Sequence, residues 1–268
     1  PFELMRAVEA GTVRIVALSY GWEQSQHPDP EGDQLRTVAS FIERRLAYTF
    51  PDGTPTIEDL AVFWDYPSLH QNPRSEEEEE AFDESLDSVN LWYAHTFTEV
   101  WLLSQVPVGL TAYSQRGWPT FERAMSSLLT PQDSFLDLGL WKGGDENWDT
   151  LARRCKAARD PPLRPERAAA LLATKTFTDA LDLGKVLEIY ERTYREVMGN
   201  IRSLKFTNLT EWGDRQAEAL AECLPDCPQL EELRLTCNNI GAAGAGALGA
   251  AAAQCERLRV VNLEGNPL

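Results

Sequence analysis

Basic charge is scarce in this chain of 268 residues: 25 Lys and Arg stand against 42 Asp and Glu, a net charge of -17. A surface of that sign repels phosphate backbones and anionic headgroups, so neither nucleic acid nor a membrane surface is an expected partner. Histidine is rarer still, with three in all. None pairs with a nucleophile, and no G-x-S-x-G turn or cysteine-histidine set exists, which removes the hydrolase triads. Walker-type phosphate loops and zinc-deaminase spacings are also missing. The five cysteines, Cys155, Cys223, Cys227, Cys237 and Cys255, are odd in number and confined to the second half. We read reduced thiols and a cytoplasmic setting rather than a disulfide framework. No charged-then-apolar leader follows Pro1. One uncharged run, Leu235 to Cys255, has the length of a membrane span. It is built of Ala and Gly with Asn238, Asn239 and Gln254, so no span is expected. What remains is ordinary globular composition, 43% hydrophobic with 16 prolines, enough for one or two domains.

The last third of the chain repeats. Leu230, Leu233, Leu235, Asn238 and Ile240 recur 28 residues later as Leu258, Val261, Leu263, Asn266 and Leu268. The same period joins Cys227 to Cys255, Trp212 to Ile240, Gly213 to Gly241 and Leu220 to Leu248, while Ile201, Leu204 and Phe206 fit with one extra residue. This L-x-x-L-x-L-x-x-N spacing resembles leucine-rich repeats of the ribonuclease-inhibitor type. Alternate leucines of a short strand would point inward, the asparagine would satisfy backbone groups at the turn, and a helix would cover the outside. Small residues from Ala242 to Ala253 would let that helix pack closely. Gly244, Gly246 and Gly249 spell G-x-G-x-x-G but fall where the repeat places its helix, not directly after a strand, so no dinucleotide site is expected there. Cys223 and Cys227 lack a completing ligand set and read as buried thiols, with no metal. The array is expected to continue past Leu268.

The first half alternates strand and helix. Val13 to Ser19 predicts a strand, and Leu35, Val38, Ala39, Ile42 and Leu46 predict a helix stripe. Ala61 to Tyr66 predicts a second strand. Ser75 and Glu78 form a capping box opening a helix with Phe82, Leu86, Val89 and Tyr93 on one face, which explains the acidic run Glu76 to Glu80 through the positive helix N-terminus. Phe97 to Ser104 and Ser134 to Leu140 predict further strands, with a helix from Trp118 to Leu128 that carries Pro119 in its first turn. Such βα units imply a doubly wound parallel sheet.

Three short motifs in order carry a second resemblance. Leu18-Ser19-Tyr20 with Trp22, Val62-Phe63-Trp64-Asp65, and Arg116-Gly117-Trp118-Pro119-Thr120-Phe121-Glu122 resemble the TIR domain. Phe63 to Gln71 also resembles the W-I-D-x-x-C-I-x-Q signature of the related HET domain. The resemblance covers about residues 1–140. It implies a flavodoxin-like fold, self-association, and cleavage of NAD as substrate, with no permanently bound cofactor. Glu122 would inherit the catalytic glutamate of the W-x-x-x-E motif and stabilise oxocarbenium character at the ribose. Trp22, Trp64, Asp65 and Tyr66, near strand C-terminal ends, would bind the dinucleotide. Pro119 stands where the family commonly carries cysteine. The alternatives stay open: Trp22, Trp64 and Tyr66 as core aromatics, Asp65 as a turn cap, and Glu122 as a solvated or Arg116-paired helix residue.

From Trp141 the glycines at 143 and 144 and the prolines at 161 and 162 mark a crossing between folded parts. Glu166 to Thr174 and the stripe Leu183, Val186, Leu187, Tyr190, Tyr194 and Val197 predict two helices, the second capping the first repeat. The cluster Arg153, Arg154, Lys156 and Arg159 reads as a solvated face. The expected organisation is therefore an α/β TIR-like domain over 1–140, a helical connector and cap over 141–200, and leucine-rich repeats over 201–268. The expected function is a cytoplasmic sensor or adaptor of innate-immunity style, in which the repeats bind a protein partner and the TIR-like part signals by self-association or NAD cleavage. The alternative is a non-catalytic interaction scaffold.

Overall fold

The computed structural model describes residues 2–24 and 26–268. Its first half runs α1 (Phe2–Ala10), β1 (Val13–Tyr20), α2 (Asp33–Leu46), β2 (Asp59–Phe63), α3 (Asp65–Ser68), α4 (Glu76–Asp87), α5 (Asn90–Tyr93), β3 (Thr98–Leu103), α6 (Gly117–Leu129) and β4 (Phe135–Asp137). The four strands form one parallel sheet in the order β2-β1-β3-β4. Strand β1 is rich in β-branched and apolar residues and buried on both faces, as a central parallel strand must be. Val16, Leu18 and Tyr20 face a core with Val38 and Phe41 of α2, Trp101 of β3, and Trp148 and Leu151 further on. Ala17 faces the opposite core with Tyr93 of α5 and Phe121, Met125 and Leu128 of α6. Helices thus cover both faces, and the winding reverses between β1 and β3, the point outside whose C-terminal ends open α/β sheets form their ligand crevice.

Several boundaries differ from expectation. Strand β2 stops at Phe63, not Tyr66, because Trp64 to Ser68 turn into the single helical turn α3. The capping box is present, with Ser75 and Glu78 each bonding the other's backbone. That helix ends at Asp87, however, so Val89 and Tyr93 belong to the next turn, and Tyr93 rather than Phe82 reaches the core. In α2 the buried positions are Gln34, Val38, Phe41 and Arg45, whereas Leu35 is exposed. Buried Asp29 holds the helix start by accepting the amides of Gln34 and Leu35 at 3.1 and 2.8 Å. The fourth strand is only Phe135 to Asp137, and residues 155–157 pair antiparallel beside it.

The remaining elements are α7 (Trp148–Arg154), α8 (Pro165–Leu172), α9 (Asp182–Asn200), β5 (Ser203–Lys205), α10 (Asp214–Cys223), β6 (Glu232–Arg234), α11 (Ala242–Ala252) and β7 (Val260–Asn262). Strands β5, β6 and β7 form a second parallel sheet in chain order. Their starts lie 29 and 28 residues apart. Asn238 accepts the Leu209 amide and donates to Phe206 O and Leu235 O. One repeat later, Asn266 accepts the Ile240 amide and donates to Leu235 O and Leu263 O. Each asparagine thereby closes its own turn and ties it to the preceding one. Gly244 lies in α11 where an added Cβ would sit 2.8 Å from Ala217 of α10, so this glycine serves helix packing. Cys223 and Cys227 are buried free thiols. Among the described residues no helix is long and apolar enough to cross a membrane, and no group of side chains could hold a metal.

Candidate functional site

The crevice end of the sheet gathers polar side chains from four separate stretches of chain. Strand β1 delivers Ser19 and Tyr20 at its last two positions, and Trp22 follows in the loop. The turn after β2 delivers Asp65, α5 delivers Tyr93, and the segment after β3 delivers Tyr113 and, from the second turn of α6, Glu122. Tyr20 Oη donates to Asp65 Oδ1, Trp22 Nε1 donates to Asp65 Oδ2 at 3.2 Å, and the Tyr66 amide donates to Oδ1 at 2.6 Å. Asp65 is therefore engaged by three protein donors. Burial pushes its carboxyl above the usual range, and these donors oppose that shift. Trp22 meets Tyr66 edge to face at 5.5 Å, His27 lies 4.9 Å from Tyr66, and Trp64 meets Tyr20 at 5.7 Å.

Glu122 is 8% exposed, and its Oε2 has no hydrogen-bond partner. Burial pushes its carboxyl up to about 8, and the nearby charge of Asp65 adds to the rise. Hydrogen bonding from Ser19 and Tyr93 opposes the rise only in part. Ser19 Oγ lies 2.6 Å from Tyr113 Oη, and Tyr93 Oη donates to Leu18 O at 2.7 Å. Burial thus favours the neutral form of this acid. The solvated or Arg116-paired alternative for Glu122 is corrected by this geometry. Arg116 instead reaches across to the loop after β1, donating to Trp22 O at 2.6 Å and to Thr111 O at 2.9 Å.

The structure brings Trp22, Asp65 and Tyr66 into one contact group, with Trp64 joined through Tyr20, and sets Glu122 close enough to Asp65 for their charges to interact. Ser19, Tyr20, Tyr93 and Tyr113 complete the wall, and sequence reasoning did not assign them to the site. The position of Tyr20 at the strand end was a usable signal, whereas Tyr113 sits in a loop whose sequence carries none. Two clefts of about 330 and 310 Å³ are present. The first lies along the edge strand β2 against Leu69 and Trp92, the second beside Arg44, Tyr48 and Trp148, and Glu122 lines neither.

The chain is thus a mixed α/β protein with a four-stranded parallel sheet, compatible with a Rossmann-like arrangement. Comparison with protein-family models, with curated proteins and with solved structures gives no match, so the functional reading rests on the site itself.

Proposed function

We propose that this is a cytoplasmic sensor or adaptor whose α/β unit is a TIR-like domain able to cleave the nicotinamide-ribose bond of NAD, and whose C-terminal strands and helices are leucine-rich repeats that bind a protein partner. The observation that carries the catalytic part is the buried Glu122 carboxyl with an unsatisfied oxygen at the crevice end of the sheet. A buried acid raised to about 8 is costly to ionise unless a cation enters beside it, and the pyridinium ring of NAD is such a cation. Its arrival would draw the proton off Glu122, and the resulting carboxylate would stabilise positive charge developing on the ribose. Trp22 and Tyr66 supply aromatic surface at the rim. Support for the repeat reading is the hydrogen-bond pattern shared by Asn238 and Asn266.

The test is nicotinamide release from NAD by the purified chain at high concentration, beside Glu122→Gln. Release by the wild type that the substitution abolishes is the expected result. Equal silence from two folded proteins overturns the catalytic part. The second reading, a non-catalytic scaffold acting by self-association and partner binding, is favoured by one observation: neither cleft reaches Glu122.

A further inference from the structure

Arg159 was expected on a solvated face, and it is instead 5% exposed. Its guanidinium donates through Nε to Ser127 O at 3.1 Å and through Nη2 to Ser127 O and Leu128 O at 2.8 and 2.9 Å. Those carbonyls close the last turn of α6, the negative end of the helix dipole and the place where a cation is most favoured. The other arm of the fork, Nη1, donates to Lys205 O at 3.1 Å in the first strand of the second sheet. The plane also lies over the Phe206 ring, 4.2 Å from its centroid. The Arg159 carbonyl accepts Trp212 Nε1 at 2.7 Å. One buried residue therefore grips the helix that carries Glu122 and the strand that opens the repeats. No carboxylate pairs with this cation among the described residues, and only carbonyl dipoles and one ring hold it. Such a grip tolerates little movement: a shift that breaks the carbonyl set strands a buried charge, so the joint is either closed or open rather than elastic.

We propose that Arg159 is a positioning residue for Glu122, holding α6 in register with the repeats so that displacement of the first repeat strand is felt at the carboxyl. The functional consequence rests on Glu122 being the chemical centre proposed above, whereas the coupling itself does not. The test compares hydrogen exchange and the pH midpoint of Glu122, read from stability against pH, in the full chain and two variants. Arg159→Lys keeps the charge but loses the fork and the ring contact. Trp212→Phe removes the indole hydrogen bond to the Arg159 carbonyl and part of the ring stacked on Phe206 while leaving the guanidinium intact, and it serves if the lysine variant does not fold. The expected result in either folded variant is at least tenfold faster exchange in the second half of α6, a changed Glu122 midpoint, and unchanged exchange in α2. Faster exchange confined to β5 to β7, or an unmoved midpoint, overturns the proposal. Nicotinamide release separates the two readings. If release is absent from the wild type while exchange and midpoint respond, NAD cleavage falls and the coupling stands. If release is present but neither quantity responds, the coupling falls and the chemistry stands.

Discussion

Replacing Glu122 by Gln probes the buried acid without changing its shape. An ordinary glutamate titrates near 4.5 and this one is pushed up to about 8 by burial and by Asp65. The folded state therefore holds a proton that the unfolded chain releases. Stability from this group is fully present below pH 4.5 and is lost as pH rises through about 8. At 1.36 kcal/mol per pH unit the loss across that window is on the order of 3–5 kcal/mol, the lower figure allowing for local relaxation around the new charge. Glutamine is neutral throughout and presents an oxygen and an amide where the carboxyl stood, so the variant should lack this slope. Urea unfolding at half-unit steps from pH 5 to 9, wild type minus variant, isolates Glu122 because the other titrating groups cancel to first order. The wild type should become the less stable of the two, relative to their difference at pH 5, as pH climbs. Parallel curves, differing in slope by less than about 0.5 kcal/mol across the window, would refute the reasoning, because Glu122 would then ionise as readily in the folded chain as in the unfolded one.

Asp65→Asn removes the charge that reinforces Glu122, so the Glu122 midpoint should fall below about 8 in the same unfolding series; an unmoved midpoint would mean that desolvation acts alone. Asn238→Ala leaves the Leu209 amide and two carbonyls without their partner, a cost of about 3 kcal/mol in urea unfolding, and Asn266→Ala should cost less because Asn266 is itself only half-buried. Gly117→Ala would place a Cβ 2.3 Å from the Phe177 ring, so a loss of about 1–3 kcal/mol is expected, with faster exchange at the start of α6.

Period and punctuation made much of this fold legible. The 28-residue recurrence located β6, β7, α10 and α11, because leucines at fixed offsets and an asparagine at the turn are local requirements of the repeating unit. The Ser75 cap was legible for the same reason: its partner Glu78 is three residues away. Errors arose where distant groups decide. The first turn of α2 is bound to Asp29, a loop residue that a periodicity count does not weigh. Just past the end of β2, Asp65 is held by donors from β1 and from the loop after it, contacts that lie more than forty residues away along the chain. Arg159 looked like one more member of a basic cluster, because its acceptors lie 31 or more residues away along the chain. The motif singled out Glu122, but the rise of its pKa was not legible, since that depends on burial and on Asp65, more than fifty residues away.

The same contacts bear on entry to Glu122. Arg116 at the start of α6 lies over Gly21, where an added Cβ would sit 2.7 Å from Nε, and donates to Trp22 O. Trp22 in turn donates to Asp65. Helix, loop and carboxylate are thus fastened in series, and a dinucleotide entering past them would need the first fastening to let go. Arg116 is partly desolvated, which holds its guanidinium below the usual range. Arg116→Ala should therefore expose the indole of Trp22, seen as a red shift of its emission and faster quenching by acrylamide. If NAD enters by this route, the same variant should release nicotinamide faster at low NAD while its maximal rate depends on Glu122 as before. A more exposed Trp22 with no gain at low NAD would mean that the Arg116 bridge does not gate the site.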